Sequence, residues 1–475
     1  MTPYIPQLFE NSLYLIAYDP NYLYDDNEDE EMEDDGEGWG SDFEDEDQER
    51  ADDDDDTSWK VRRGAIHIID AVVKTKPDLL KTIVDEHALV LVDRFKERVD
   101  DVKCDLLQTF DAILTTTVET AAPSFEQELT HQASLVRKKS AGGSLGDMAQ
   151  TIVKALVKQM KNKNLKVRIA ALSTLACLAL SIQDKLDAHF DVVFPELKKA
   201  IEETQSFEPM LNALLVLRRL FRAHAPGTPA AFHNHVDDIK NFLVSALNHE
   251  YSKVVSEGLR VSGSFLNTLR SGEGGAIDNK FKSVAADFFT ATTNKLEKTD
   301  IDIEVKSCSI LSAASLVSVC HSALQPAQVK KILDIYSDRL GNELTRDAAL
   351  KGLTMIATNE TSSKRQSNAN TALIPLGNLT GFLSAFYDLL KKTHRQLHLN
   401  TLECMEALTR RYPDQFQAHV PAIANEISPM IDEQDLQRAI LALKVATNLI
   451  AISPAPQAHA QVIGMAVQLS GSELI

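Results

Sequence analysis

Residues 57–73 read TSWKVRRGAIHIIDAVV, and this run decides the fold. Val61, Ala65, Ile66, Ile69, Val72 and Val73 recur at steps of three and four, the spacing of one face of an α-helix. Moving toward the C-terminus, Val84, Ala88, Leu91, Val92 and Phe95 share another helical face. Val102, Leu106, Phe110, Ile113 and Leu114 share a third. No convincing alternating strand pattern interrupts them.

The opening of the run then recurs along the chain. A polar turn precedes Val or Leu beside Lys or Arg, and an Ala/Leu-rich helix follows. The clear anchors are Val61-Arg62, Val102-Lys103, Val167-Arg168, Val305-Lys306 and Thr345-Arg346. Met210, Val254, Leu397-His398 and Leu436-Gln437 are weaker copies. The successive spacings are 41, 65, 43, 44, 51, 40, 52 and 39 residues. Most match the roughly 40–47-residue period of HEAT repeats, each a pair of antiparallel helices. In such a repeat an Asp near the second helix caps its free N–H groups. The apolar residue anchors that helix, and the base beside it pairs with acids on neighbouring repeats. One pair cannot bury its apolar face alone, so repeats stack. The expected fold is an all-α HEAT-repeat solenoid with a long disordered acidic inter-helix loop.

The acidic loop lies just N-terminal to the opening run. Of the 32 residues from Asp25 to Asp56, 21 are Asp or Glu and one, Arg50, is basic. The whole chain has 69 acids and 49 bases, so the other 443 residues hold 48 of each and are neutral. The tract includes Asp25, Asp26, Glu28, Asp29, Glu30 and Glu31 at one end and Asp52, Asp53, Asp54, Asp55 and Asp56 at the other. It reads either as a solvated spacer or as a device that steers basic partners. One exposed pair contributes only about 0–1 kcal/mol, so steering must act through many charges together.

The expected organisation is 1–24, the first helix of a truncated repeat; 25–57, the acidic loop; 58–118, HEAT repeats; 119–147, a flexible insertion; and 148–475, further repeats ending in an incomplete one. Smaller loops are expected at Gly272–Gly275 and Asn359–Asn370. Tyr4–Tyr18 reads as a first helix whose partner starts at Trp59, and Gln457–Leu469 as a first helix with no partner. Both ends look cut, so the expectation is a portion of a longer machine, with separate N- and C-terminal portions as possible partners.

Several function classes find no support in the residues. The 13 His are scattered, and no Ser/His/Asp or Cys/His arrangement is visible, so no catalytic site, cofactor or metal is expected. Gly142-Gly143-Ser144-Leu145-Gly146 lacks the spacing of a phosphate-binding loop. A neutral body with an acidic loop repels phosphates, which argues against nucleic acid. The most apolar run, Ile169–Ile182, is shorter than the roughly 20 residues of a membrane span. Cys104, Cys177, Cys308, Cys320 and Cys404 are widely spaced and odd in number. They read as free thiols of a cytoplasmic and nuclear protein.

Tyr18-Asp19-Pro20-Asn21-Tyr22, the acidic run, and Ser58-Trp59-Lys60-Val61-Arg62-Arg63 together resemble the cullin-associated, neddylation-dissociated proteins, the Cand family. Arg94-Phe95-Lys96-Glu97-Arg98, Ile152–Leu156 with Lys158–Lys161, Asp300–Asp302 with Glu304–Lys306, and Arg339-Leu340 with Asn342-Glu343 continue the likeness in order. The resemblance covers the family's central repeats. It implies a non-enzymatic HEAT scaffold that binds an unneddylated cullin with its RING-box protein. It further implies an exchange factor regulating assembly of SCF-type ubiquitin ligases and substrate-receptor exchange. An importin-β-like nuclear transport receptor, whose acidic loop holds basic cargo, is the alternative reading. Candidate partner-binding residues are Trp59, Lys60, Arg62, Arg63, Arg94, Lys96, Arg98 and Lys103; the plainer reading makes Trp59 a seam residue, sets Lys60, Arg62 and Arg63 against the adjacent acids, and makes Arg94, Lys96, Arg98 and Lys103 a solvated edge.

Overall fold

The computed structural model describes residues 4–18, 57–121, 142–203, 206–224, 229–271, 275–359, 373–432, 434–453 and 460–470. The acidic tract at 25–56 therefore lies outside the described residues, as do 272–274 and 360–370 of the smaller expected loops.

The chain divides into two compact units, Met1–Ile182 and Gln183–Ile475. The first contains α1 (Ile5–Leu15), α2 (Ser58–Thr75), α3 (Ala88–Asp93), α4 (Asp100–Ala121), α5 (Ala149–Met160) and α6 (Leu165–Ile182). The second contains α7 (Phe190–Ile201), α8 (Glu208–His224), α9 (Val236–Leu247), α10 (Ser252–Thr268), α11 (Val284–Glu297) and α12 (Ile303–Cys320). It continues with α13 (Pro326–Gly341), α14 (Arg346–Asn359), α15 (Leu376–Leu390), α16 (Arg395–Arg411), α17 (Val420–Ile427), α18 (Leu436–Ile452) and α19 (Ala460–Ser470). Short 3₁₀ and π turns connect several of them. Among the described residues there is no strand, only a single bridge between Arg270 and Ile277.

Odd-numbered helices are the first, and even-numbered the second, of each pair. In the first unit α2 packs on α4 and α4 on α6. In the second, α8, α10, α12, α14, α16 and α18 pack in succession. Each unit is thus a stack of HEAT-type helix pairs, as the 40-residue recurrence requires. The nine anchors fall within the first turn of the second helices or immediately before it. Val102, Val167, Met210, Val254, Val305, Thr345 and Leu397 are buried there. The Asp302 carboxylate accepts from the Glu304 N–H at 2.7 Å, and Asp435 from the Arg438 N–H at 3.2 Å.

Four expectations need correction. Val61 is 40% exposed, and Arg62 takes the inward place in α2, in register with Ser58, Ala65, Ile66 and Ile69. The second correction concerns the insertion expected at 119–147. It is helical at both margins: α4 runs to Ala121, and Gly142–Asp147 forms a short helix. Only 122–141 lies outside the described residues. Third, the first helix is shorter than expected, Ile5–Leu15.

The fourth correction concerns membrane spans. Two helical stretches, Leu165–Ile201 and Ile303–Cys320, are long and apolar enough to cross a membrane by length and composition. Their most apolar windows are 50% and 72% buried within the protein. α12 buries residues on every face, four serines among them, because α10 and α14 flank it.

Candidate partner-binding surface

The residues that close the acidic tract meet in one place. Arg62 extends from α2 into the seam toward α4 and is 1% exposed. Its Nε lies 2.9 Å from Glu97 Oε2, and a terminal nitrogen donates to Glu97 Oε1 at 3.2 Å. The other terminal nitrogen donates to Ser58 Oγ at 2.9 Å and to the Tyr18 carbonyl at 3.0 Å. Glu97 also accepts from the Val99 N–H at 3.0 Å. Tyr18 and Ser58 stand on either side of the tract, so one guanidinium ties both of its roots to the next repeat. A charge this deeply buried is tolerated only when paired and hydrogen-bonded, and Arg62 is both.

The remaining candidates divide by exposure. Arg63 is half-buried and bonds Asp105 Oδ2 at 2.5 Å; that hydrogen bond holds the guanidinium above its usual range. His67 Nε2 lies 3.6 Å from the same carboxylate. Trp59 is half-buried, with Lys60 Nζ 5.5 Å and Arg63 Cζ 6.0 Å from its ring centre. Lys60, Lys96 and Arg98 are exposed, and Arg94 is half-buried. Lys96 pairs with Asp93 at 3.2 Å and Lys103 with Asp100 at 3.4 Å.

Arg62 and Lys103 are buried and face partners within the chain. The ridge expected from Arg94 to Lys103 is also not uniformly basic, because Asp93 and Asp100 interleave with its lysines. Trp59, Lys60 and Arg63 do come together as one exposed-to-half-buried patch.

A polar ladder joins second helices, as expected, but through bases other than those beside the anchors. In the second unit Arg218 Nε lies 3.0 Å from Glu257 on α10. Arg260 pairs with Glu257 at 3.4 Å and with Glu304 on α12 at 2.5 Å. Farther along, Arg395 pairs with Asp435 at 2.6 Å across the α16–α18 seam. Spacings of about one repeat between opposite charges were the available signal. Among the described residues no group of His, Cys, Asp and Glu is arranged to hold a metal.

The comparisons bear on what these helix stacks belong to. A family model described as CAND1-like, TPR repeats matches residues 184–313. A cullin-associated NEDD8-dissociated protein 1 from Arabidopsis thaliana is 31% identical over 453 residues, 95% of this chain. The Drosophila melanogaster protein of the same name is 29% identical over 96% of the chain. The chain is related to the cullin-associated NEDD8-dissociated proteins. It spans 35% of the length of each of these two relatives. A cullin-associated NEDD8-dissociated protein 2 from Mus musculus aligns with the whole chain at 30% identity and is covered over 37% of its own length.

The region aligned with the mouse protein spans both sides of the Arg62 clasp, Tyr18 and Ser58–Arg63. Solved structures share the fold. A Kap121p mutant superposes with TM-score 0.57 at 12% identity, covering 86% of this chain and 45% of that one. Importin beta gives 0.56 at 12% identity, covering 86% of this chain and 55% of that one. At such identity the karyopherins show the HEAT architecture alone.

Proposed function

We propose that this chain is a non-enzymatic cullin-binding scaffold, the central repeats of an exchange factor acting on unneddylated cullin–RING-box cores. The observation that carries the reading is the 31% identity over 95% of the chain to a relative named for cullin association and NEDD8 dissociation. Stacked helix pairs suit the role: each adds a strip of surface, and binding is spread over many repeats. In this reading the scaffold competes with adaptor and substrate receptor, regulating SCF-type ligase assembly. It works in the cytoplasm and nucleus, where free thiols persist, and it is joined by separate N- and C-terminal portions of the same factor. The karyopherin likeness is confined to fold and supports no transport role.

The test is size-exclusion chromatography of the purified chain with an unmodified cullin–RING-box core and, in parallel, with the neddylated core. Co-elution with the unmodified core alone is the expected result. Equal co-elution with both cores, or with neither, overturns it.

A further inference from the structure

The turns that lead into the second helices of the second unit share a pattern. Phe207-Glu208, Glu250-Tyr251, Ile303-Glu304 and Glu343-Leu344 each set an apolar side chain beside a glutamate. They stand at the starts of α8, α10, α12 and α14, four helices that pack in succession. All eight residues are exposed, Leu344 by 69%. The rings of Phe207 and Tyr251 stack across two repeats with centres 4.1 Å apart and planes at 29°. Apolar groups are therefore repeated once per helix pair along one edge, and two of them already associate.

Packed helices lie about 8–10 Å apart, so the row offers one apolar group every ~10 Å over roughly 30 Å. A helix rises about 1.5 Å per residue, so seven residues advance ~10.5 Å. A helix of about 20 residues laid along the row thus presents one side chain of each heptad to each turn. An extended strand, at about 3.3 Å per residue, also reaches successive turns with every third residue. A strand brings unpaired backbone N–H and C=O groups, however, and nothing on this edge of helix starts offers a ladder for them.

The charges choose the occupant further. Glu208 and Glu250 have no ion-pair partner among the described residues, and Glu343 is 82% exposed while touching Arg346 at 3.1 Å. Glu304 is shared with Arg260. Asp300 and Asp302 add exposed acid between the second and third turns, whereas Lys253 and Lys298 are exposed bases there. The edge is net acidic beside its apolar row.

We infer that this edge is a docking site for a basic amphipathic helix of a partner protein. Its apolar residues would repeat every seven positions and be flanked by Lys or Arg. The inference does not rest on cullin binding, and its test uses no cullin.

The probe is a synthetic 21-residue helical peptide with Leu at the a and d heptad positions and Lys at e and g. Its comparison is the same peptide with Glu at e and g. Binding to the full chain is followed by fluorescence anisotropy, and a photo-reactive leucine maps the contact by mass spectrometry. The expected result is binding of the Lys peptide at least tenfold tighter than the Glu peptide, with cross-links to the 207, 251, 303 and 344 turns. Ile303→Ser with Leu344→Ser weakens it at least tenfold, and Glu208→Lys with Glu250→Lys reverses the peptide preference or abolishes it. Val192→Ser, an exposed apolar position on α7, leaves binding unchanged. Equal binding of the two peptides, cross-links confined to 25–56, or undiminished affinity in the ridge variants overturns the inference. All substituted side chains are exposed, so folding of the variants is checked by unchanged helical circular dichroism.

Discussion

Arg62 is buried in the α2–α4 seam, where Glu97 supplies the counter-charge that lets its guanidinium go inward. Removing one partner of a buried pair leaves the other charge stranded, which costs about 3–5 kcal/mol. Arg62→Ala should therefore open the α2–α4 seam, with faster amide exchange in α1, α2 and α4 and faster proteolysis near the tract. Replacing both partners, Arg62→Met with Glu97→Leu, should recover most of the protection. Wild-type exchange rates in Arg62→Ala would show the clasp to be dispensable. The cysteines give a second residue-scale outcome. Cys308, Cys320 and Cys404 are buried, and burial pushes the Cys320 and Cys404 thiols up to about 12. At pH 8 a thiol reagent should modify at most Cys104 and Cys177 in the native chain, and all five after unfolding. Rapid native modification of Cys404 would contradict the packing.

At the scale of elements, the helix pairs were legible because apolar spacing near 3.6 persists and the turn-anchor motif recurs. The seams were less legible. Which face of a second helix meets its neighbour depends on pairs such as Arg218–Glu257 or Arg395–Asp435, about 40 residues apart. Periodicity within one helix carries no information on them. Arg62 and Lys103 look like surface bases until Glu97 and Asp100 are placed.

Helix contact is tight enough to test. A Cβ on Gly352 in α14 would come within 2.6 Å of the Tyr336 hydroxyl on α13, which is buried and donates to the Ile310 carbonyl. Gly352→Ala should cost about 1–3 kcal/mol, as overpacked sites do, and expose the α13–α14 pair to proteolysis. Unchanged thermal melting would refute that fit. The α16–α18 seam should depend on pH. The Arg395 hydrogen bond holds the Asp435 carboxyl below its usual range, so its contribution is complete above the ordinary Asp value near ~3.9 and fades as pH falls through the lower folded value. Amide exchange around Arg438 should differ between wild type and Asp435→Asn at pH 7 and converge in acid.

For the whole molecule, net charge is the dominant property, and the sequence located it completely. The chain carries −20 and its 443 residues outside Asp25–Asp56 carry none. Removing 25–56 should leave partner affinity at high salt little changed and flatten the salt dependence of the association rate, since steering by many charges acts on encounter. Stopped-flow rates with a partner at two ionic strengths decide this. An unchanged salt slope after deletion would assign the tract to spacing alone.

The cross-repeat bonds have a kinetic consequence. Arg62 reaches 35 residues ahead to Glu97, Ser181 reaches 67 back to the Leu114 carbonyl, and Asn448 reaches 42 back to the Glu406 carbonyl. Each of these bonds joins a helix pair to the neighbouring pair. Such a chain has low contact order for its length, and chain-closure entropy limits its folding little. Nucleation in one pair and growth by neighbour docking suffice. During synthesis each helix pair within a unit can dock on the one before it as soon as its own residues have emerged, so order of manufacture and order of folding coincide. Unfolding should then proceed in several steps, without a single cooperative midpoint.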